Sequence, residues 1–348
     1  MIPYQAIIPV HESSQVGEAR RQAVRLAERV GMNEGDRGKV AIIATELANN
    51  LVRHAGPAGH GEIALRLLAH AEGNGVEVLA IDKGPGMADV GRCLQDGYST
   101  GGTAGQGLGA VRRLASEFDV TSAAGTGTVV VARLLDGAPT AALTAAAAPP
   151  PSIPGNGLRW GVINKPVKGE TECGDTWRVV RRHDGVTAIL VADGLGHGPA
   201  AAEAANAAAL VFDADPFVDL KRLFEKAHVH LRGTRGAAVA AAHIDPVRRT
   251  LRYAGIGNIA GTLVDGGARR GLSSHNGTVG AQMHKVHEFE YPWPGRGGVT
   301  VMHSDGLGTR WDPAAYPGLM QRHPAVVAGV LYRDFTRGRD DVTVVVIS

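Results

Sequence analysis

The chain is short of cysteine. Only Cys93 and Cys173 occur in 348 residues, far apart and in no CxxC pair, which argues against a disulfide framework or a cysteine-ligated zinc site and points to a reducing cytoplasm. It also lacks any run of about 18 apolar residues, the length that crosses a bilayer. Its opening, MIPYQAIIPVHESS, has neither the charged start nor the apolar stretch of a secretory signal. The expectation is a chain that is neither secreted nor membrane-spanning. Charge of one sign is missing too: 36 basic residues against 34 acidic leave a net charge of +2, so no nucleic-acid footprint and no polybasic membrane patch is expected. What is present is a globular composition, 44% hydrophobic and 20% charged, over a length that favours two domains.

A stretch without charge or aromatic residues divides the chain. Residues 137–154, GAPTAALTAAAAPPPSIP, hold five prolines around a run of small residues, which reads as a semi-rigid linker between domains at 1–136 and 155–348. In the first half, YQAIIPV predicts a strand. SSQVGEARRQAVRLAERVG predicts a helix with a serine cap and a terminal glycine, and DRGKVAIIATELANNLVRHAG a second helix ending at Gly56. GEIALRLLAH and GVEVLAID predict two strands around a turn at 72–75, GLGAVRRLASEF a helix, and GTGTVVVARL a last strand. The fold class this implies is α+β, with helices on one face of a mostly antiparallel sheet.

The second half is strand-rich: LRWGVINK, TWRVVRR, GVTAILVAD, GAAVAAAHI, TLRYAGI, IAGTLVD, VHEFEY, GVTVMHSD and DVTVVVIS. Helices are predicted over 199–212, 216–231 and 313–332. Two packed sheets with helices outside them are expected.

Chemistry gathers at a few stretches. In TELANNLVRHA, Glu46, Asn50 and His54 recur every four residues and so share one helix stripe. An amide oxygen there can ligate Mg²⁺, and a carboxylate one turn earlier can take a proton from an attacking hydroxyl. IDKGPGM places Asp82 at a strand end, where it can accept from an exocyclic amine, with Gly84 and Gly86 allowing a planar ring close to the backbone. TGGTAGQGLG, 100–109, runs into a helix, the arrangement whose amides hold phosphates. The order ELxxNxxxH, DxGxG, GxGLG and then GT before a final strand resembles the GHKL (HATPase) ATP-binding fold. Within it, the small serine kinases of bacterial anti-sigma-factor and stress-switch systems are the most similar. The resemblance spans 1–136. It implies that ATP is the cofactor, that Asn50 binds Mg²⁺, that Glu46 is the general base and that Asp82 reads adenine. It further implies that Gly84, Gly86, Gly105, Gly107 and Gly109 shape pocket and lid, with Thr128 on the adenine side and His54 structural. Transfer to a protein Ser or Thr is expected, rather than to a histidine of the chain itself.

In the second half acids stand where strands end: Asp175 in CGDTW, Asp193 in VADGLGHG, Asp305 in HSDGLG, and the pair Asp340 and Asp341 in GRDDVTVVVI. Carboxylates converging from neighbouring strands, with a glycine freeing a backbone carbonyl, suit a pair of Mg²⁺ or Mn²⁺ ions. The ordered set, with an AGxGN turn between, resembles the SpoIIE-like branch of the PPM metal-dependent phosphatases over 158–348. That implies Asp193 bridging the metals, the Gly194 carbonyl on one of them, and Asp305 with Asp340 completing the cage. Counting back from VTVVV favours Asp340, with Asp341 kept beside it as a candidate ligand, and Asp175 is an additional one. CGDTWR departs from the family's GGDYYD in lacking its second acid. His197 either orients phosphate or solvent or packs at a helix start, and Asn258 is read as a turn residue.

The two resemblances together imply a bifunctional switch that writes and erases a phosphate on one partner, a STAS-domain anti-sigma antagonist. A second reading makes the first domain a nucleotide-dependent module that holds a sigma factor or another component of a stress-signalling complex. A third makes its nucleotide an allosteric gate on the phosphatase.

Overall fold

The structure is a computed structural model and describes residues 5–55, 61–69, 72–94, 107–137, 157–295 and 297–348. The chain divides into two compact units, 1–152 and 153–348. Most of the proline-rich stretch, 138–154, lies outside the described residues.

The first unit runs β1 (Gln5–Pro9), α1 (Ser13–Arg29), α2 (Glu34–His54), β2 (Gly61–Leu68), β3 (Gly75–Asp82), α3 (Val90–Cys93), α4 (Gly107–Leu114), β4 (Glu117–Ala123) and β5 (Gly127–Leu135). Its five strands form one antiparallel sheet in the order β1-β2-β3-β5-β4. Alternation assigns the two faces. Ile63, Leu65, Val76, Val78, Ala80, Val130 and Ala132 point at the helices and meet Ala19, Ala23 and Leu26 of α1 and Val40, Ile43, Leu47 and Leu51 of α2.

Three expectations change here. The cap of α1 is Glu12, not a serine: Gln15 reaches back to the Glu12 amide at 3.0 Å, and Ser14 donates its hydroxyl to the Glu12 carboxylate. α2 begins two residues before Asp36, capped by Asn33, whose Oδ1 accepts from the Asp36 amide at 2.9 Å. The helix predicted through Phe118 stops at Leu114, because 117–123 pair with β5 instead.

That pairing completes a charged row on the face away from the helices. Arg66, Glu77, Arg133 and Glu117 stand side by side on β2, β3, β5 and β4. Arg66 Nε donates to Glu77 Oε1 at 3.0 Å, Arg133 Nε to Glu77 Oε2 at 2.7 Å, and Arg66 Nη1 to Glu72 Oε2 at 2.7 Å. Glu77 is 0% exposed, so removing it takes away the central carboxylate between two buried guanidinium groups and leaves Glu72 and Glu117 beside them. Glu77→Ala is expected to cost about 3–5 kcal/mol, read as a lowered urea midpoint for the first unit.

The second unit runs β6 (Trp160–Lys165), β7 (Asp175–Arg181), β8 (Thr187–Gly194), α5 (Pro199–Ala214), α6 (Leu220–His230), β9 (Ala237–Asp245), β10 (Thr250–Ile256), β11 (Ala260–Asp265), β12 (Ala268–Leu272), β13 (Phe289–Pro292), β14 (Val299–His303), α7 (Pro324–Phe335) and β15 (Val342–Ile347). Two five-stranded sheets result, β13-β10-β9-β8-β7 and β12-β11-β14-β15-β6. α5 and α6 cover the first through Ala205, Ala209, Phe212 and Phe224 packed on Ala188, Leu190, Val239 and Ala241. α7 packs on β6 and β15 of the second.

The predicted helix 216–231 starts only at Leu220, where Asp219 caps it by accepting from the Lys221 amide at 3.0 Å. The predicted helix 313–332 is in fact two short 3₁₀ turns, Pro313–Ala315 and Leu319–Gln321, followed by α7. Gly318, at φ +78, and the His323 cap before Pro324 break it. β12 was not foreseen.

His243, on β9, is buried; its Nε2 donates to the Pro216 carbonyl at 3.0 Å, and its Nδ1 accepts from Arg252 Nη2 at 3.2 Å. Burial, against a partly offsetting bond to Pro216, holds the imidazole down to about 4. The folded state therefore resists protonation that the unfolded chain accepts near 6.5. Stability from this residue is complete above that pH and drains away as pH falls towards about 4, by up to about 3 kcal/mol. His243→Gln is expected to flatten this acid limb in thermal melts run between those two pH values.

Among the described residues no helix is long and apolar enough to cross a membrane, and both cysteines are free thiols.

Candidate functional sites

In the first unit α2 is anchored by Leu47, Ala48 and Leu51, which leaves Glu46 and Asn50 half-buried along one edge. α4 starts against them. A Cβ on Gly107 would lie 3.2 Å from Glu46 Oε2 and 3.5 Å from Asn50 Oδ1. The N-terminus of α4 thus stands beside a carboxylate and a carboxamide. Asn50 Nδ2 is buried with no hydrogen-bond partner among the described residues. An unmet donor of this kind costs about 1–3 kcal/mol, which fits a side chain whose partner is a bound group. His54 is exposed, and it is the His54 carbonyl that enters the structure of the site.

Asp82 ends β3 and is buried; its Oδ1 accepts from the Gly84 amide at 2.7 Å and the Thr128 amide at 3.2 Å. Backbone crowding accounts for the glycines: a Cβ on Gly84 would sit 2.3 Å from the His54 carbonyl oxygen, and one on Gly86, at φ +68, 2.1 Å from that of Ala123. The Thr128 hydroxyl is 2.9 Å from Ser122 Oγ, which also accepts from the Met87 amide at 2.8 Å. Ser122 escaped the sequence reading because β4 did. Gly109 is buried within α4; Gly105 and the rest of the loop up to Gln106 lie outside the described residues.

In the second unit the acids assemble from both sheets. Asp175 and Asp193 are directly opposed on β7 and β8. Burial first, then the charges of Asp175, Asp305, Asp340 and Asp341, push Asp193 up to about 9. Burial is also the main cause that lifts Asp175 to about 7, with Asp341 and Asp340 adding to it and the Ser304 hydroxyl opposing it. Asp305 is raised by burial and by Asp340, against Arg337 and Asn258. The doublet divides its labour. Asp341 is buried and its two oxygens accept from the Val167 amide at 2.7 Å and the Gly174 amide at 2.8 Å, bracing the loop before β7, whereas Asp340 is half-exposed.

Asn258 does more than turn the chain: its Nδ2 donates to Asp305 Oδ2 at 2.7 Å. His197 is not in the helix; it precedes the Gly198 cap of α5 and its Nδ1 lies 2.7 Å from Glu170 Oε1. Gly194 closes β8, where a Cβ would meet the Ala201 carbonyl oxygen at 2.0 Å, so α5 can begin hard against the strand end. Glu170, Arg337 and Ser304 were not singled out from sequence; each acts through a contact far along the chain.

Among the described residues no three acidic, histidine or cysteine side chains already surround one point at metal-ligand spacing. The set is nonetheless suited to divalent cations. Its donors are all oxygens, burial and mutual repulsion disfavour its full ionisation unless positive charge stands beside it, and Asp175 Oδ1 is buried without a hydrogen bond of good geometry.

Residues 10–134 match the family described as Histidine kinase-like ATPase domain, and residues 183–348 match Stage II sporulation protein E (SpoIIE). The chain is 32% identical over 128 residues, 37% of its length, to the serine/threonine-protein kinase RsbT of Bacillus subtilis (strain 168), of which that stretch covers 94%. The chain belongs, through its first unit, to the histidine kinase-like ATPase family, and it carries a SpoIIE domain after it. A solved chain from the bacterial stressosome, described as a modular system adapted to control secondary messenger signaling, is matched with a TM-score of 0.52 at 28% identity, over 55% of this chain and 99% of that one. RsbX in complex with magnesium is matched with a TM-score of 0.47 at 20% identity, over 55% and 94%.

Proposed function

We propose that this chain is a two-way switch on one phosphoprotein: the first unit transfers the γ-phosphoryl group of ATP to a Ser or Thr of a STAS-domain partner, and the second hydrolyses that phosphate. The observation that carries the reading is that one chain keeps both sets of polar groups: the Glu46 carboxylate and the Asn50 carboxamide face the start of α4, and five aspartates crowd together in the second unit. The RsbT likeness supports the kinase half and the SpoIIE match the phosphatase half.

In the first unit Asp82 reads the exocyclic amine of adenine, Asn50 holds Mg²⁺ through its amide oxygen, and the first amides of α4 face the phosphates. Glu46 takes the proton of the incoming hydroxyl. In the second unit Asp193, the Gly194 carbonyl, Asp305 and Asp340 hold a pair of Mn²⁺ or Mg²⁺ ions, with Asp175 as a further ligand. Such a pair, when bound, acidifies a water and neutralises phosphoryl charge. Asn258 fixes the Asp305 carboxylate, and the Glu170–His197 pair flanks the acids beside Asp341. The free thiols support a cytoplasmic home.

The test is purified chain with labelled ATP and candidate STAS proteins, the product mapped by mass spectrometry. Phosphate on one Ser or Thr, removed again by the same preparation once ATP is exhausted, is expected. Stoichiometric capture of the partner without transfer overturns the kinase half.

A further inference from the structure

The acids of the second unit rest on a hydrogen-bonded seam that joins the two sheets. Ser304, directly after β14, is fully buried. Its amide donates to the Thr343 carbonyl at 3.0 Å, and its hydroxyl oxygen accepts from the Thr343 amide at 2.9 Å. The one proton of that hydroxyl goes to Asp175 Oδ2 at 2.6 Å. Asn164 on β6 donates through Nδ2 to Thr343 Oγ1 at 2.8 Å and to the Asp175 carbonyl at 3.3 Å. Side chains of one sheet therefore fasten a carboxylate that belongs to the other, across 129 residues of sequence.

What matters is which oxygen is fastened. Oδ2 is committed to Ser304, while Oδ1 is buried and accepts no hydrogen bond of good geometry, the Thr343 hydroxyl being the other group beside the carboxylate that favours its charged form. Because the Ser304 oxygen already accepts from Thr343, its hydroxyl has little freedom to swing away from Asp175. We propose that Ser304 is a positioning residue: its hydroxyl holds the Asp175 carboxylate in one orientation, so that Oδ1 alone is presented to the divalent cation. The proposal rests on the phosphatase reading above. Outer hydrogen bonds of this type orient metal ligands, and losing one typically weakens metal binding or activity about 10–100-fold.

The experiment measures Mn²⁺ binding to the full chain, without substrate, by the electron paramagnetic resonance of free Mn²⁺, with p-nitrophenyl phosphate hydrolysis run alongside. Ser304→Ala is expected to weaken one class of Mn²⁺ site about 10–100-fold, with hydrolysis largely recovered at saturating Mn²⁺. Asp175→Asn should weaken the same class, and the double variant should bind no more weakly than Asp175→Asn, because Ser304 acts through that carboxylate. Ser304→Cys, close in size but a weak donor, guards against a poorly folded alanine variant and should fall between wild type and Ser304→Ala. Unchanged Mn²⁺ affinity in Ser304→Ala despite a lowered melting temperature, wild-type affinity in Ser304→Cys, or additive losses in the double variant overturns the proposal. Should the wild-type chain itself bind no Mn²⁺, the phosphatase reading falls first and the proposal with it.

Discussion

Asp193→Asn is expected to lower phosphate-ester hydrolysis by the second unit at least ~10³-fold, the loss of roughly 4 kcal/mol of transition-state stabilisation from a disturbed metal pair. The same substitution should make the metal-free chain more stable. Asp193 is pushed up to about 9, chiefly by burial and then by its four acidic neighbours. A carboxyl raised in this way favours folding at pH values below its unfolded value and loses that benefit as pH climbs towards the folded one. At pH 8 most of the penalty is in place, and asparagine removes it. Metal-free Asp193→Asn should therefore melt above metal-free wild type at pH 8, yet gain little from Mn²⁺, whereas the wild type gains much. A variant less stable than wild type without metal would show that Asp193 is not held among repelling charges.

Glu46→Ala carries the second large effect. Phosphoryl transfer to the partner should fall about 10²–10⁴-fold, the range for a positioned general base, while ATP affinity stays within a few-fold. Glu46 stands beside Gly107 at the start of α4, and Asp82, which would read adenine, is held separately by Gly84 and Thr128. Single-turnover transfer together with equilibrium binding of a fluorescent ATP analogue separates the two quantities. Loss of both together would make Glu46 part of the binding site and not the base.

Much of this was legible in the sequence because the informative residues are local. Four-residue spacing puts Glu46 and Asn50 on one stripe of α2, and strand-end acids followed by glycines mark Asp82, Asp193 and Asp305. The failures have physical causes. EFDVTSA alternates charged, polar and apolar residues without an apolar run, and only its pairing with β5, Glu117 beside Arg133, makes it a strand. In 313–332, proline and glycine outweighed an otherwise helical composition. The Asp340–Asp341 doublet could not be divided by counting alone, since the amides that engage Asp341 belong to Val167 and Gly174. Ser304 was hidden for the same reason: its partner Asp175 stands on the other sheet.

The central claim is that one chain writes and erases the same phosphate. The most direct measurement follows label from γ-labelled ATP onto the partner in the presence of wild type, Asp193→Asn, and Asp193→Asn combined with Glu46→Ala. The account predicts little standing label with wild type, near-stoichiometric label on one Ser or Thr with Asp193→Asn, and none with the double variant. Equal label with wild type and Asp193→Asn, or label that survives loss of Glu46, would contradict it.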